Sequence, residues 1–132
     1  MKRVKFVVLL LLAMVCILMP LHAEEKQEGA KLVFAEKEHD FGEIDHKGED
    51  KKYVFHFENK GTEPLVILSA MTSCSCLKTT FSRKPIAPGG KGTITLQLEA
   101  RKVEKGVFHR VVQIHSNSVL GTEMITIKGS SR

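Results

Sequence analysis

An all-β fold, an immunoglobulin-like antiparallel β-sandwich of about seven strands, is predicted for this chain by three observations. Short runs rich in β-branched and aromatic residues recur from Lys31 onward. Clusters of glycine, proline, asparagine and serine separate them, and no window repeats its apolar residues at the helical period. Such runs, counted at about seven within roughly 100 residues, match the strand content of a two-sheet sandwich.

The chain opens on a different composition. Lys2, Arg3 and Lys5 precede an unbroken apolar run from Phe6 to Met19, followed by Pro20-Leu21-His22-Ala23 and the acidic Glu24-Glu25. A basic start, an apolar middle and a small residue at the cut is the order of a secretory signal peptide, so residues 1–23 are expected to be removed after Ala23. The apolar run falls short of the ~20 residues that a spanning helix needs, and no membrane span is expected after cleavage. Cys16, beside the bulky Met14 and Val15, is expected to leave with this segment. Removing 23 of the 132 residues leaves 109, the size of one domain. Three of the 20 lysines and arginines leave with the signal and none of the 15 acidic residues does, which lowers the formal net charge from +5 to +2. With no Lys/Arg cluster on a periodic face, nucleic acid is not an expected partner. The expected location is the periplasm or the outside of the cell.

Residues 24–30 are polar and read as a mobile tail, and 31–132 as the sandwich domain. The expected strands are Lys31–Glu36, Lys52–Asn59, Pro64–Ala70, Cys74–Phe81, Thr93–Ala100, Val107–Ser116 and Met124–Lys128. Lys52–Asn59 alternates most clearly: Tyr53, Phe55 and Phe57 face one way, and Lys52, Val54, His56 and Glu58 the other. In Thr93–Ala100 the inward set is Ile94, Leu96 and Leu98, and in Val107–Ser116 it is Phe108, Val112 and Ile114. Gly48-Glu49-Asp50, Asn59-Lys60-Gly61, Pro88-Gly89-Gly90 and Ser116-Asn117-Ser118 lie between runs and suit chain reversal.

These residues resemble a family of bacterial secreted domains of unknown function, number fifteen seventy-three, related in fold to Hydin-like and major-sperm-protein-like domains. The resemblance is carried by His39-Asp40-Phe41-Gly42-Glu43-Ile44, by Tyr53, Phe55, Phe57, Asn59 and Gly61 at alternating positions, and by Pro64-Leu65-Val66-Ile67. It continues through Ser73-Cys74-Ser75-Cys76, Pro85-Ile86-Ala87-Pro88-Gly89, the Gly106–Asn117 run and Ile127–Gly129, nearly the whole chain after the signal. Family members usually have glycine between the cysteines and threonine after them, where this chain has Ser75 and Leu77. The resemblance implies an immunoglobulin-like domain of the cell envelope with a binding or scaffolding role, no established activity, and His39-Asp40 shaping the start of a turn.

Cys74 and Cys76 are the residues most suggestive of chemistry. Two thiols one residue apart in an oxidising compartment form a bond, sit buried, hold a metal or cycle as a redox pair. In a regular strand their Cα atoms would stand roughly 6.5 Å apart, so a bond between them needs a kink or bulge. Thiolates suit copper(I) or zinc, with Met71 or a histidine as a further ligand, but no second cysteine pair accompanies them. His39, His46, His56, His109 and His115 are scattered over several runs, His109 and His115 on the more polar face of theirs. His39 and Asp40 would point to opposite faces of a strand, with no nucleophile beside them. Gly89-Gly90-Lys91-Gly92-Thr93 lacks the Ser or Thr and the spacing of a phosphate loop and reads as a turn.

No catalytic, cofactor or metal residue is therefore assigned, and the chain is expected to be non-enzymatic. The expectation is an exported binding or scaffolding module of the bacterial cell envelope, its partner a protein or surface glycan met by loops or a free strand edge. The alternative is a thiol redox or copper-handling protein using Cys74 and Cys76.

Overall fold

The computed structural model describes residues 2–16 and 28–132. Helix α1, Lys2–Cys16, is built mostly of Val, Leu, Ala and Met and exposes residues 2–11. No helix among the described residues is long and apolar enough to cross a membrane. The expected cut after Ala23 and residues 24–27 of the expected tail lie outside the described residues.

Eight strands follow: β1 Leu32–Phe34, β2 Glu38–Ile44, β3 Lys51–Asn59, β4 Ile67–Met71, β5 Leu77–Phe81, β6 Lys91–Leu98, β7 Gly106–Ser116 and β8 Glu123–Ser131. They form two four-stranded sheets, β1-β3-β6-β5 and β2-β8-β7-β4, packed face to face as an immunoglobulin-type sandwich. The alternation read from the sequence sets the register. Phe55 pairs with Ile94 and Tyr53 with Leu96, which puts both inward sets on one face of the first sheet. Phe108, Val112 and Ile114 of β7 share the inner face of the second with Ile125 and Ile127 of β8. Leu32, Phe55, Ile94, Leu96, Leu98, Ile114, Ile125 and Ile127 are all fully buried, and each such side chain contributes about 1.5–3 kcal/mol by leaving water.

The expected sandwich of about seven strands is borne out, and the structure corrects three of its details. The strand not expected, β2, occupies the segment read as the start of a turn. Its pattern conceals it: Glu38, Asp40 and Glu43 are exposed, only Ile44 is buried, and Gly42 bends the strand at φ 67°. The sandwich is not wholly antiparallel, since β2 runs parallel to β8 from Glu38–Thr126 to Ile44–Ser131. The strand expected from Cys74 begins at Leu77, and the cysteines occupy a turn ahead of it. Gly29 and Ala30, expected in the mobile tail, are buried: Thr62 N donates to Gly29 O (2.8 Å) and Val119 N to Ala30 O (2.9 Å).

Asn59, expected to end a strand and open a turn, is fully buried at the end of β3. Its Oδ1 accepts from Lys31 N (3.1 Å) and Gly61 N (3.0 Å), and its Nδ2 donates to Glu63 O (2.7 Å) and Ile86 O (2.9 Å). One amide thereby ties β1, the β3–β4 turn and the segment before β6 together.

Candidate functional site

The cysteine turn sits where the chain leaves β4 in one sheet and crosses to β5 in the other. Leu77 N donates to Cys74 O (3.3 Å), closing the turn, and Glu99 N donates to Cys76 O (2.8 Å), fastening it to the end of β6. A turn contracts what a strand would extend. The Cα atoms of Cys74 and Cys76 lie 5.2 Å apart, within the range that a disulfide spans. Cys76 is fully buried against the core while Cys74 is half-buried at the surface.

The four edge strands differ in how they are guarded. On β2 the charges of Glu38, Asp40 and Glu43 and the bend at Gly42 discourage pairing. Strand β1 is only three residues long, and Leu32 N is taken by Ser118 Oγ (3.1 Å). On β5, Lys78 is exposed and pairs with Glu99 (2.7 Å). No charge guards β4, whose Ala70 O accepts only a long hydrogen bond from Thr79 Oγ1 (3.4 Å): from Pro64 to Leu77 the sequence has no charged residue, and Leu68 and Met71 are 51% and 58% exposed.

The apolar character continues across the outer face of this sheet. Met71 pairs with Gln113, which pairs with Met124, and Val111 lies on the same face of β7 two residues away. Met124 is 55% exposed and Val111 36%. Between Met71 and Val111 is a groove of about 380 Å³ that also touches Thr72, Ser73 and Gln113. A second, of about 490 Å³, is walled by Ser73, Cys74, Ser75, Lys102 and Glu104 on one side and His109, Arg110 and Val111 on the other.

The histidines do not gather. His39, on β2, stacks on Tyr53 with ring centroids 3.6 Å apart, while His46 Nδ1 is 2.9 Å from Val103 O and His115 Nδ1 3.2 Å from Thr122 Oγ1. His109 shares a groove with Cys74. Among the described residues no three His, Cys, Asp or Glu side chains converge as metal ligands would. Asp40, in place of an acid-base partnership with His39, accepts the Gly42 N–H (2.7 Å) and holds the bend of β2.

Several titratable groups near these surfaces are shifted, Glu99 and Tyr53 among them. Glu99 is held below the usual carboxylate range by hydrogen bonds from Lys102 and then Lys78, against a smaller opposing effect of burial. It thereby pins the 3-10 turn Ala100–Lys102 to β5. The phenol of Tyr53 is raised, first by its hydrogen bond to Glu36 (2.8 Å), then by burial and the Glu36 charge.

Sequence reasoning located the cysteine pair but missed the bare edge of β4 and its continuation onto β7. The uncharged stretch from Pro64 to Leu77 was the available signal.

Solved structures share this arrangement. A protein of unknown function from Porphyromonas gingivalis superposes with a TM-score of 0.66 at 20% identity, covering 84% of this chain and 51% of that one, so this chain spans about half its length. The ASH / PapD-like domain 7 of human CEP192 superposes with a TM-score of 0.62 at 13% identity, covering 86% and 94% of the two chains. The periplasmic chaperone SfaE matches at 0.52 and 9% identity over 76% of this chain and 57% of its own. At these identities the likeness is one of fold. No curated protein sequence matches the chain. A family model, protein of unknown function DUF1573, matches residues 32–131. That match takes in both sheets and the Cys74–Cys76 turn, and the chain belongs to the DUF1573 family.

Proposed function

We propose that this chain is an exported, non-enzymatic module of the bacterial cell envelope that binds another protein through the side of the sandwich where β4 lies. The observation that carries the reading is the uncharged β4 edge, whose exposed Leu68 and Met71 continue into Val111 and Met124 on the adjoining face. Unguarded strand edges beside exposed apolar side chains are pairing surfaces, which native proteins leave open where a partner covers them. The basic, then apolar, N-terminal segment supports export, and the PapD-like fold supports a binding role. A protein suits this surface better than a glycan, whose hydroxyls would find few charged or amide groups around Leu68 and Met71. Cys74 and Cys76 form a local disulfide in this reading, holding the β4–β5 turn in shape. A redox or copper role would need accessible sulfurs, and Cys76 is buried.

The test compares affinity-tagged protein with a Leu68→Lys, Met71→Lys double variant, both exported in the native host and cross-linked before purification. The expected result is an envelope protein recovered with the parent and lost from a variant that melts at an unchanged temperature. Recovery of the same proteins by both would overturn the reading.

A further inference from the structure

Strand β7 is longer than its neighbour on one side. Its pairing with β8 runs from Gly106 to Ile114, whereas β4 covers only Gln113 to Ser116. The opposite edge of β7, from Gly106 to Val112, therefore lies open, and alternate residues there direct N–H and C=O groups outward. Among the described residues no backbone hydrogen bond from the neighbouring turns reaches that stretch. The chain leaves β4 at Met71 and crosses to β5 through the cysteine turn, which stands back from β7 rather than capping it.

Space exists for a strand at this edge. The two grooves beside it, of about 490 and 380 Å³, share Ser73 and Val111 and so form one slot along β7. The open stretch of about seven residues, at roughly 3.4 Å each, accommodates a strand of ordinary length.

Charge selects the occupant. Arg110 lies on the inward-facing side of β7 with Phe108 and Val112, and it is half-buried. Its Nη1 donates to His109 O (3.0 Å), and none of the ion pairs among the described residues includes it. Lys102, across the slot, is already paired with Glu99 (2.6 Å). A guanidinium has five donors, and this one gives one of them to a protein acceptor, which leaves the others to water or to a carboxylate brought by a partner. An inward-pointing charge also repels apolar strands from an edge. A carboxylate on the incoming strand would meet both requirements, pairing with Arg110 while apolar strands are refused.

We infer that the Gly106–Val112 edge of β7 docks an extended, carboxylate-bearing segment of a partner protein, added as a strand beside the Cys74–Cys76 turn. This rests on the protein-binding reading above and names its site and the chemistry of its partner. Backbone pairing supplies affinity, Arg110 selects an acidic side chain on the inner face, and Val111 and Met71 contact an apolar one on the outer face.

The test is selection of a random-peptide display library against the purified exported protein, followed by amide chemical-shift mapping of the recovered peptides on the parent protein. The expected peptides carry an Asp or Glu among β-forming residues, move the amides of residues 106–112, and bind Arg110→Gln at least ~10-fold more weakly, as loss of a charged hydrogen bond implies. A peptide with Lys in place of its acid is expected to lose binding to the parent as well. Failure to enrich any peptide, enrichment without an acidic residue, or shifts centred away from β7 would each overturn the inference. If the Leu68→Lys, Met71→Lys variant loses its envelope partner while selected peptides ignore β7, the protein-binding reading stands and this edge is wrong. Peptides that occupy β7, with no envelope partner recovered, would leave the edge standing and remove the cellular role.

Discussion

Every hydrogen-bonding position of the Asn59 amide is used inside the protein, two by donors from Lys31 and Gly61 and two by the carbonyls of Glu63 and Ile86. Replacement by leucine keeps the volume and strands all four partners, so Asn59→Leu is expected to cost about 2–4 kcal/mol in denaturant unfolding, well above a surface change. Tyr53 is the chain's single tyrosine, so its ionisation can be followed directly by absorbance. Its folded pKa is raised above 10.0. The neutral phenol is the form that bonds Glu36, so the stabilisation is present below the unfolded pKa and is lost as pH rises through the folded one. The native titration is expected to lie above pH 10, and Glu36→Ala to bring it down. The cysteine pair is expected to lower the intact mass by two hydrogens relative to the reduced protein. Cys76→Ser should destabilise more than Cys74→Ser, by about 1–3 kcal/mol, because it puts a hydroxyl where no water reaches.

Strands whose two faces differ were the legible ones. In β3, β6 and β7 aromatic and branched residues alternate with polar ones, and the structure buries Phe55 and Phe57, Ile94, Leu96 and Leu98, Phe108, Val112 and Ile114, with Tyr53 of the expected set partly buried against the core. Strand β2 was not legible because it is an edge that gives the core only Ile44 and a partly buried Phe41, and its charges and glycine imitate a turn. The segment at Gly29–Ala30 looked like a tail because it carries little apolar area. It is held instead by backbone contacts that its own composition does not encode. A Cβ at Gly61 would collide with Gly29 O, Ala30 C and Lys31 N, all of them backbone. Gly61→Ala is therefore expected to cost about 1–3 kcal/mol and to speed hydrogen exchange at the Thr62 amide, which Gly29 O protects. Unaltered stability would show that this segment is not part of the folded unit.

At the scale of the molecule, the two-sheet sandwich follows from strand count and alternation, whereas the candidate site follows from which strands end up as neighbours. The cysteines were visible as a pair, but Arg110 and the half-covered edge of β7 are products of the register that stops β4 at Met71. No local pattern in Gly106–Ser116 distinguishes a residue paired on both sides from one paired on one. Met71 stands where the bare β4 edge, the outer apolar face and the slot along β7 meet, so it is the position from which a partner would be reached first. Thr93, exposed on the outer face of the other sheet, is its control. The most direct test is photo-cross-linking in living cells with a benzophenone amino acid placed at Met71 or at Thr93 of the exported protein. A discrete protein adduct from Met71 and none from Thr93 is the predicted result, and no adduct from Met71, or the same adducts from both, would contradict a protein-binding role for this side of the sandwich.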